Sequence, residues 1–329
     1  MNQNNIHKNI FQISSEAEFN AMALQTFRSQ FQNNIVYREF CQHLGKNESN
    51  VNRVEDIPFL PISFFKTHKV ITGNFKPQII FTSSGTTGSE VSKHAVRDLS
   101  IYEKSYLSAF EAFYGDINEY CILALLPSYL EREGSSLIYM ADDLIKKSNH
   151  PDSGFYLDDV KHLRATLLKL EEANTKTLLI GVSFALLDMA EKYNLQLKNT
   201  VIMETGGMKG RKKEMIREEL HQLLMSGFGV PQIHSEYGMT ELLSQAYSYG
   251  NGIFYTPKWM KIFTRETEDP LSLQEPGKSG GVNIIDLANV HSCAFIATQD
   301  LGKVHMDGSF EILGRYDHSD VRGCNLMVL

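Results

Sequence analysis

The sequence predicts an α/β protein: a largely parallel sheet flanked by helices, followed by a β-rich C-terminal part. Two observations carry this. Between residues 121 and 225, short apolar runs alternate with longer amphipathic ones, the pattern of strands joined by helices into a parallel sheet covered on both faces. From about residue 250 to 315 the amphipathic runs stop and the chain reads mostly as strands.

In order along the chain, residues 16–43 read as one helix, with Phe19, Met22, Leu24, Phe27, Phe31, Tyr37 and Phe40 in a rough apolar stripe. Residues 57–63, IPFLPIS, are broken by two prolines and read as extended loop. QIIFTSS is a short strand running into a polar loop. Ser100 and Glu103 have the spacing of a capping box that opens a helix to about Phe113. CILALLP (121–127), TLLIGVS (177–183) and NTVIMETGG (199–207) read as strands, and 135–147, 157–173, 184–194 and 211–225 as helices. Asp307-Gly308 between apolar runs predicts a hairpin.

The totals bound the function. A chain of 329 residues is one large domain or two ordinary ones. With 42% hydrophobic and 22% charged residues it buries a core without staples. A formal charge of −7 argues against nucleic acid or an anionic membrane as partner of the whole surface, yet leaves room for a local phosphate pocket. Cys41, Cys121, Cys293 and Cys324 form no CxxC pair, so no zinc site is expected, and sparse thiols fit a reducing compartment. The N-terminus lacks a basic stretch followed by an apolar run, and no apolar stretch approaches about 18 residues. A cytoplasmic protein without a membrane span is the expectation.

The run FTSSGTTGSEVSKH (81–94) concentrates hydroxyls and glycines directly after a strand. Glycine permits a tight turn and close backbone approach, and hydroxyls with free amides surround anionic oxygens. A solvated loop is the other reading of such a run. It is not the common G-x-x-x-x-G-K-[ST] motif. The Gly277-Lys278-Ser279 stretch has Ser272 where that motif needs its first glycine, and reads as a turn.

The form F-T-S-S-G-T-T-G resembles the phosphate loop of the adenylate-forming superfamily, whose members join carboxylic acids to AMP. The resemblance extends in the expected order through METGGMKG (203–210), SEYGMTE (235–241), ATQDLG (297–302) and GRYD (314–317). It implies that superfamily's N-terminal-domain fold. It implies ATP and Mg²⁺, with Ser83, Ser84, Gly85, Thr86, Thr87 and Gly88 around the phosphates. Gly206 and Gly207 would line the adenine pocket, and Tyr237 would pack on adenine, with Gly238 and Thr240 in the same element. Glu241 and Thr87 would hold the metal, a role suited to hard oxygen ligands. Asp300 would accept the ribose hydroxyls, and Arg315 would bind ribose or the α-phosphate. Gln299 stands where the superfamily usually has glycine. Each of these residues also has a plainer reading, as turn, cap or core. His234 would face the same pocket, or serve as a hydrogen-bonded core histidine.

Within the superfamily the chain most resembles the acyl-protein synthetases of bacterial luminescence fatty-acid reductases, with phenylacetate–CoA ligases next. LPSYLEREGSSLIYM and the ending GRYDHSDVRGCNLMVL carry this. The resemblance implies a catalytic domain over 1–313 and a short tail over 314–329 in place of the usual small C-terminal domain with its catalytic lysine. Lys93, His94 and Arg315 are then candidates to offset charge at the α-phosphate. It also implies that Cys324 takes the acyl group, with Arg322 and His318 placed to lower its pKa; an inert tail thiol is the alternative. The acid is expected to be apolar, and LIGVSFALLDMA (179–190) reads as its pocket or as core. The product thioester passes to an acyl-accepting protein, a reductase or carrier. Alternatives are a ligase acting on coenzyme A or an external carrier protein, and, in another class, an inactive nucleotide-binding partner protein.

Overall fold

The first elements show why local sequence decides where helices break. The computed structural model describes residues 9–83, 90–126, 134–157, 159–206 and 215–315. The single helix expected over 16–43 is two, α1 (Glu16–Asn33) and α2 (Ile35–His43). Asn34 is extended, and its side-chain oxygen accepts from the amide of Tyr37 at 3.0 Å. An asparagine is as good a cap as an interior residue is a poor one, so the apolar stripe continues while the axis turns. The proline-broken stretch supplies a two-residue strand, β1 (Leu60–Pro61), followed by the short α3 (Phe64–Thr67).

Met1–Asn74 and Lys258–Leu329 belong to one compact unit, and Phe75–Pro257 to a second. The second opens with the antiparallel pair β2 (Ile79–Thr82) and β3 (Lys93–Val96), in the register Phe81 to His94 and Thr82 to Lys93. Helix α4 (Leu99–Tyr114) begins one residue before the expected capping box. Asp98, not Ser100, is its cap, accepting from the Ser100 amide at 3.0 Å and its hydroxyl at 2.7 Å. Glu103 instead accepts from Tyr139 Oη at 2.5 Å.

The sheet of this unit contains β4 (Cys121–Leu125), β5 (Gly154–Phe155), β6 (Thr177–Val182), β7 (Thr200–Thr205) and β8 (His234–Tyr237), parallel in the order β5-β4-β6-β7-β8. Helices α5 (Ser136–Ser148), α6 (Val160–Glu172), α7 (Ser183–Lys192) and α8 (Arg217–Phe228) lie between these strands in the chain. Every residue of β4 and β6 is buried, as their continuous apolar runs require of strands covered on both faces. Pairing turns antiparallel with β9 (Ala246–Ser248) and β10 (Ile253–Tyr255), a little earlier than the composition shift near 250.

Helices α7 and α8 approach closely at Gly227. A methyl group there would lie 2.5 Å from Ala190 Cβ and 2.7 Å from Ala190 Cα. Alanine is worth about 1 kcal/mol over glycine inside a helix, but overpacking costs about 1–3 kcal/mol, and here the obstacle includes backbone. Gly227→Ala is therefore expected to lower the urea midpoint of unfolding rather than raise it.

The first unit closes with β11 (Met260–Arg265), β12 (Ser279–Asp286), β13 (Phe295–Val304) and β14 (Phe310–Arg315), antiparallel in that order, with β1 parallel to β13. The Asp307-Gly308 hairpin forms as expected, with Gly308 at φ +83°. Gly277 lies in a turn before β12, at φ +95°. Both ends of the chain build this unit's core. Phe27 and Tyr37 pack on Phe295, the Tyr37 ring stacked at 5.8 Å. The Gln30 side chain donates to Asn289 O at 2.9 Å and accepts from the Ala294 amide at 2.9 Å. Among the described residues no helix is long and apolar enough to cross a membrane.

Candidate active site

In an open parallel sheet ligands bind beyond the carboxyl ends of the strands, and Gly206 and Tyr237 fall there, while the proposed phosphate loop leaves a strand of the separate two-stranded sheet. The proposed phosphate loop leaves β2, Gly206 follows β7, and Tyr237 ends β8. The loop springs from a closed hairpin. The Ser83 amide donates to Ser92 O at 3.2 Å, and the Ser92 amide donates to Ser83 Oγ at 2.9 Å. On the other side the Thr82 amide donates to Gly134 O at 2.8 Å. Gly134, at φ +85°, leaves no room for a side chain, since a Cβ would lie 2.9 Å from Thr82 Oγ1. Ser84, Gly85, Thr86, Thr87 and Gly88 lie outside the described residues, as does Gly207.

His94 ties this hairpin to the SEYGMTE segment. Its ring is 1% exposed, and Nδ1 lies 2.8 Å from the carbonyl oxygen of Thr240. A carbonyl can only accept, so Nδ1 carries the proton. His94, a candidate charge partner of the α-phosphate, is thus buried and bonded to the Thr240 carbonyl, while Lys93, its neighbour, is exposed. Glu241, next to Thr240, is 5% exposed. The Leu242 amide donates to Met239 O at 3.0 Å, closing the turn that carries it.

Two carboxylates that the sequence reading passed over lie in the strands beneath these loops. Glu204 of β7 is 7% exposed. It accepts from Ser183 Oγ at 2.9 Å and lies 3.6 Å from His221 Nε2 and 3.8 Å from Arg217 Nε. Burial pushes its pKa up, but the His221 contact, the Arg217 charge and the Ser235 hydroxyl outweigh burial and hold it below the usual value. Ser183 Oγ also lies 2.6 Å from Gly206 O, linking the ends of β6 and β7. Arg217 covers the Phe254 ring at 5.1 Å, and Tyr237 meets the same ring at 6.0 Å. Glu236 of β8 accepts from Thr205 Oγ1 at 2.5 Å, and burial pushes its pKa up to about 7. An acid inside an apolar strand, as in VIMETGG, was the readable signal for Glu204. Glu236 was hidden by the motif it adjoins.

His234 is the hydrogen-bonded core histidine of the two readings offered. Its Nδ1 lies 3.1 Å from Tyr114 Oη, and burial lowers its pKa to about 4. In the other unit, Asp300 and Arg315 are brought opposite one another as register partners across β13 and β14. Cys41, Cys121 and Cys293 are free and buried. Burial pushes the thiol of Cys41 up to about 12 and of Cys121 up to about 11, and raises Cys293 as well, so none is a ready nucleophile. Cys324, with His318 and Arg322, lies outside the described residues. Among the described residues no cluster of three or more His, Cys, Asp or Glu side chains is placed to hold a metal ion.

Comparison with known proteins agrees with this fold. A structure of 2-hydroxyisobutyryl-CoA ligase with 2-HIB-AMP and CoA superposes with a TM-score of 0.63 at 11% identity, over 92% of this chain and 71% of that one. ATP-bound MatB from Rhodopseudomonas palustris gives 0.54 at 16% identity over 72% of this chain. This is the adenylate-forming fold. The chain spans about half of the MatB structure, 47% of its length. The family described as "Acyl-protein synthetase, LuxE" matches residues 9–109. The long-chain-fatty-acid–luciferin-component ligases of Vibrio harveyi and Aliivibrio fischeri are each 24% identical, over 91% and 92% of this chain and 84% and 85% of theirs. By sequence, then, this chain is similar to the acyl-protein synthetase family over residues 9–109 and to two long-chain-fatty-acid–luciferin-component ligases over about nine-tenths of its length.

Proposed function

We propose that the protein activates a carboxylic acid with ATP, releasing pyrophosphate, and passes the acyl group from the adenylate to a thiol. The observation that carries this is the His94–Thr240 hydrogen bond. It joins the strand leaving the proposed phosphate loop to the Thr240-Glu241 corner, 146 residues away in the chain. A loop for phosphates beside a carboxylate for their metal is the arrangement that attack at an α-phosphate needs. The fold and the ligase relatives support the reading.

Ser83 to Gly88 take the β- and γ-phosphates. Magnesium held largely by those phosphates needs few protein oxygens, and Glu241, with Thr87, supplies them. Gly206 and Tyr237 flank the adenine, and Asp300 and Arg315 take the ribose and α-phosphate. Most of the rate comes from positioning and fixed charge. The acid is apolar, and a long-chain fatty acid is the first choice because the relatives in two luminous bacteria are named for one.

Cys324 accepts the acyl group: its thiolate attacks the adenylate carbonyl, the bond to the phosphate oxygen breaks, and AMP leaves. The three buried cysteines are poorly suited to that role. A reductase or carrier protein takes the acyl group in turn, with coenzyme A as the rival acceptor. Incubation with MgATP and a panel of acids, followed by intact mass, tests this. One added acyl group, removed by hydroxylamine and absent in Cys324→Ala, is expected. AMP production with unchanged mass across the panel would move the acceptor outside the chain.

A further inference from the structure

Glu236 sits between the two segments that flank the proposed adenine site. Parallel register places Thr205 opposite Glu236 and Glu204 opposite Ser235. Successive strand residues face opposite sides of a sheet, so Glu204 and Glu236 lie on opposite faces. Glu204 has a cationic neighbour in Arg217 and a second in His221 when protonated. The groups facing Glu236 differ. They are Thr205 from β7, Tyr102 and Tyr114 from α4, Tyr247 from β9, and His234 two residues back on its own strand. These are uncharged at neutral pH, the three tyrosines having raised pKa values and His234 a lowered one, while the Glu204 carboxylate across the sheet adds a like charge that pushes the Glu236 pKa further up. Glu236 is 9% exposed.

Its two oxygens address the two segments. Oε2 takes the Thr205 hydroxyl, one residue before Gly206. Oε1 lies under Gly238, where a Cβ would come within 2.4 Å of it. A side chain at position 238 would therefore have to displace that carboxyl group. The motif's Tyr237 stands between that glycine and Glu236 itself.

Resting on the activation reading above, we propose that Glu236 is a positioning residue for ATP. Paired with Thr205 and lodged under Gly238, it fixes the spacing between Gly206 and Tyr237, and it does so as the uncharged acid. Ionisation places a buried charge that no cation among the described residues answers, and the turn at Gly238 yields. The raised pKa agrees in sign. A fold that prefers the neutral form is stabilised below the ordinary value of 4.5, and that contribution is lost as pH rises through about 7.

The test compares wild type, Glu236→Gln and Thr205→Val by acid-dependent pyrophosphate release between pH 6 and 9, with urea unfolding at each pH. In the wild type the KM for ATP is expected to rise through the alkaline range, by up to about tenfold per pH unit, while kcat changes little. Glu236→Gln, uncharged throughout, is expected to show a flat KM and an unfolding midpoint that no longer falls with pH. Thr205→Val is expected to raise the KM at every pH. Equal pH profiles for wild type and Glu236→Gln, with activity intact, would overturn the inference and leave the activation reading standing. Failure of the wild type to bind ATP at any pH would overturn both.

Discussion

Replacing Glu241 by glutamine is expected to lower pyrophosphate release at least about 100-fold, the scale on which removing one fixed charge-stabilising group acts. The substitution keeps shape and removes charge. Glu241 is buried, between a Thr240 held by His94 and a Leu242 that is itself buried. Glutamine fills the same space, so the fold survives and the unfolding midpoint stays within a small shift of wild type. What disappears is the anionic oxygen that a hard divalent cation prefers. Release measured against magnesium concentration should show a higher magnesium requirement as well as a lower ceiling. Near-wild-type rates at low magnesium would remove Glu241 from the metal site and return it to the plainer role of a buried residue at a turn.

Phe295→Ala is expected to cost about 3–5 kcal/mol, the range for emptying a buried aromatic site. Phe295 is fully buried on β13, stacked on Tyr37 of α2 and edge-on to Phe27 of α1. Tyr37 cannot follow it into the space, because its hydroxyl donates to Pro58 O at 2.7 Å. Neighbouring polar bonds fix both sides too. Gln30 spans Asn289 and Ala294, and Asn34 donates to Ser292 O at 3.1 Å. The cavity therefore cannot collapse cheaply. Urea denaturation should report the loss as a lower midpoint. A cost under about 1 kcal/mol would mean that the two chain ends hold together through the polar bonds alone.

The sequence by itself determined the α/β alternation, because continuous apolar runs such as CILAL and TLLIGV fit only strands covered on both faces. It determined the β-rich C-terminal part and the Asp307-Gly308 hairpin through local turn chemistry. It also placed the proposed phosphate loop after a strand and Glu241 beyond another. Tertiary structure decided the rest. The break of 16–43 into two helices lies at the local Asn34 cap, and tertiary structure adds the bond from its side-chain nitrogen to Ser292, more than 250 residues away. Whether Asp98 or Ser100 capped α4 turned on Glu103 being taken by Tyr139. His94 is tied to the SEYGMTE segment because a carbonyl 146 residues away accepts a hydrogen bond from its ring. Glu204 and Glu236 gained their different characters from what lies above and below one sheet: a cation on one face, tyrosines on the other. Local patterns report on neighbours in the chain, and the charge state of a buried acid depends on neighbours in space.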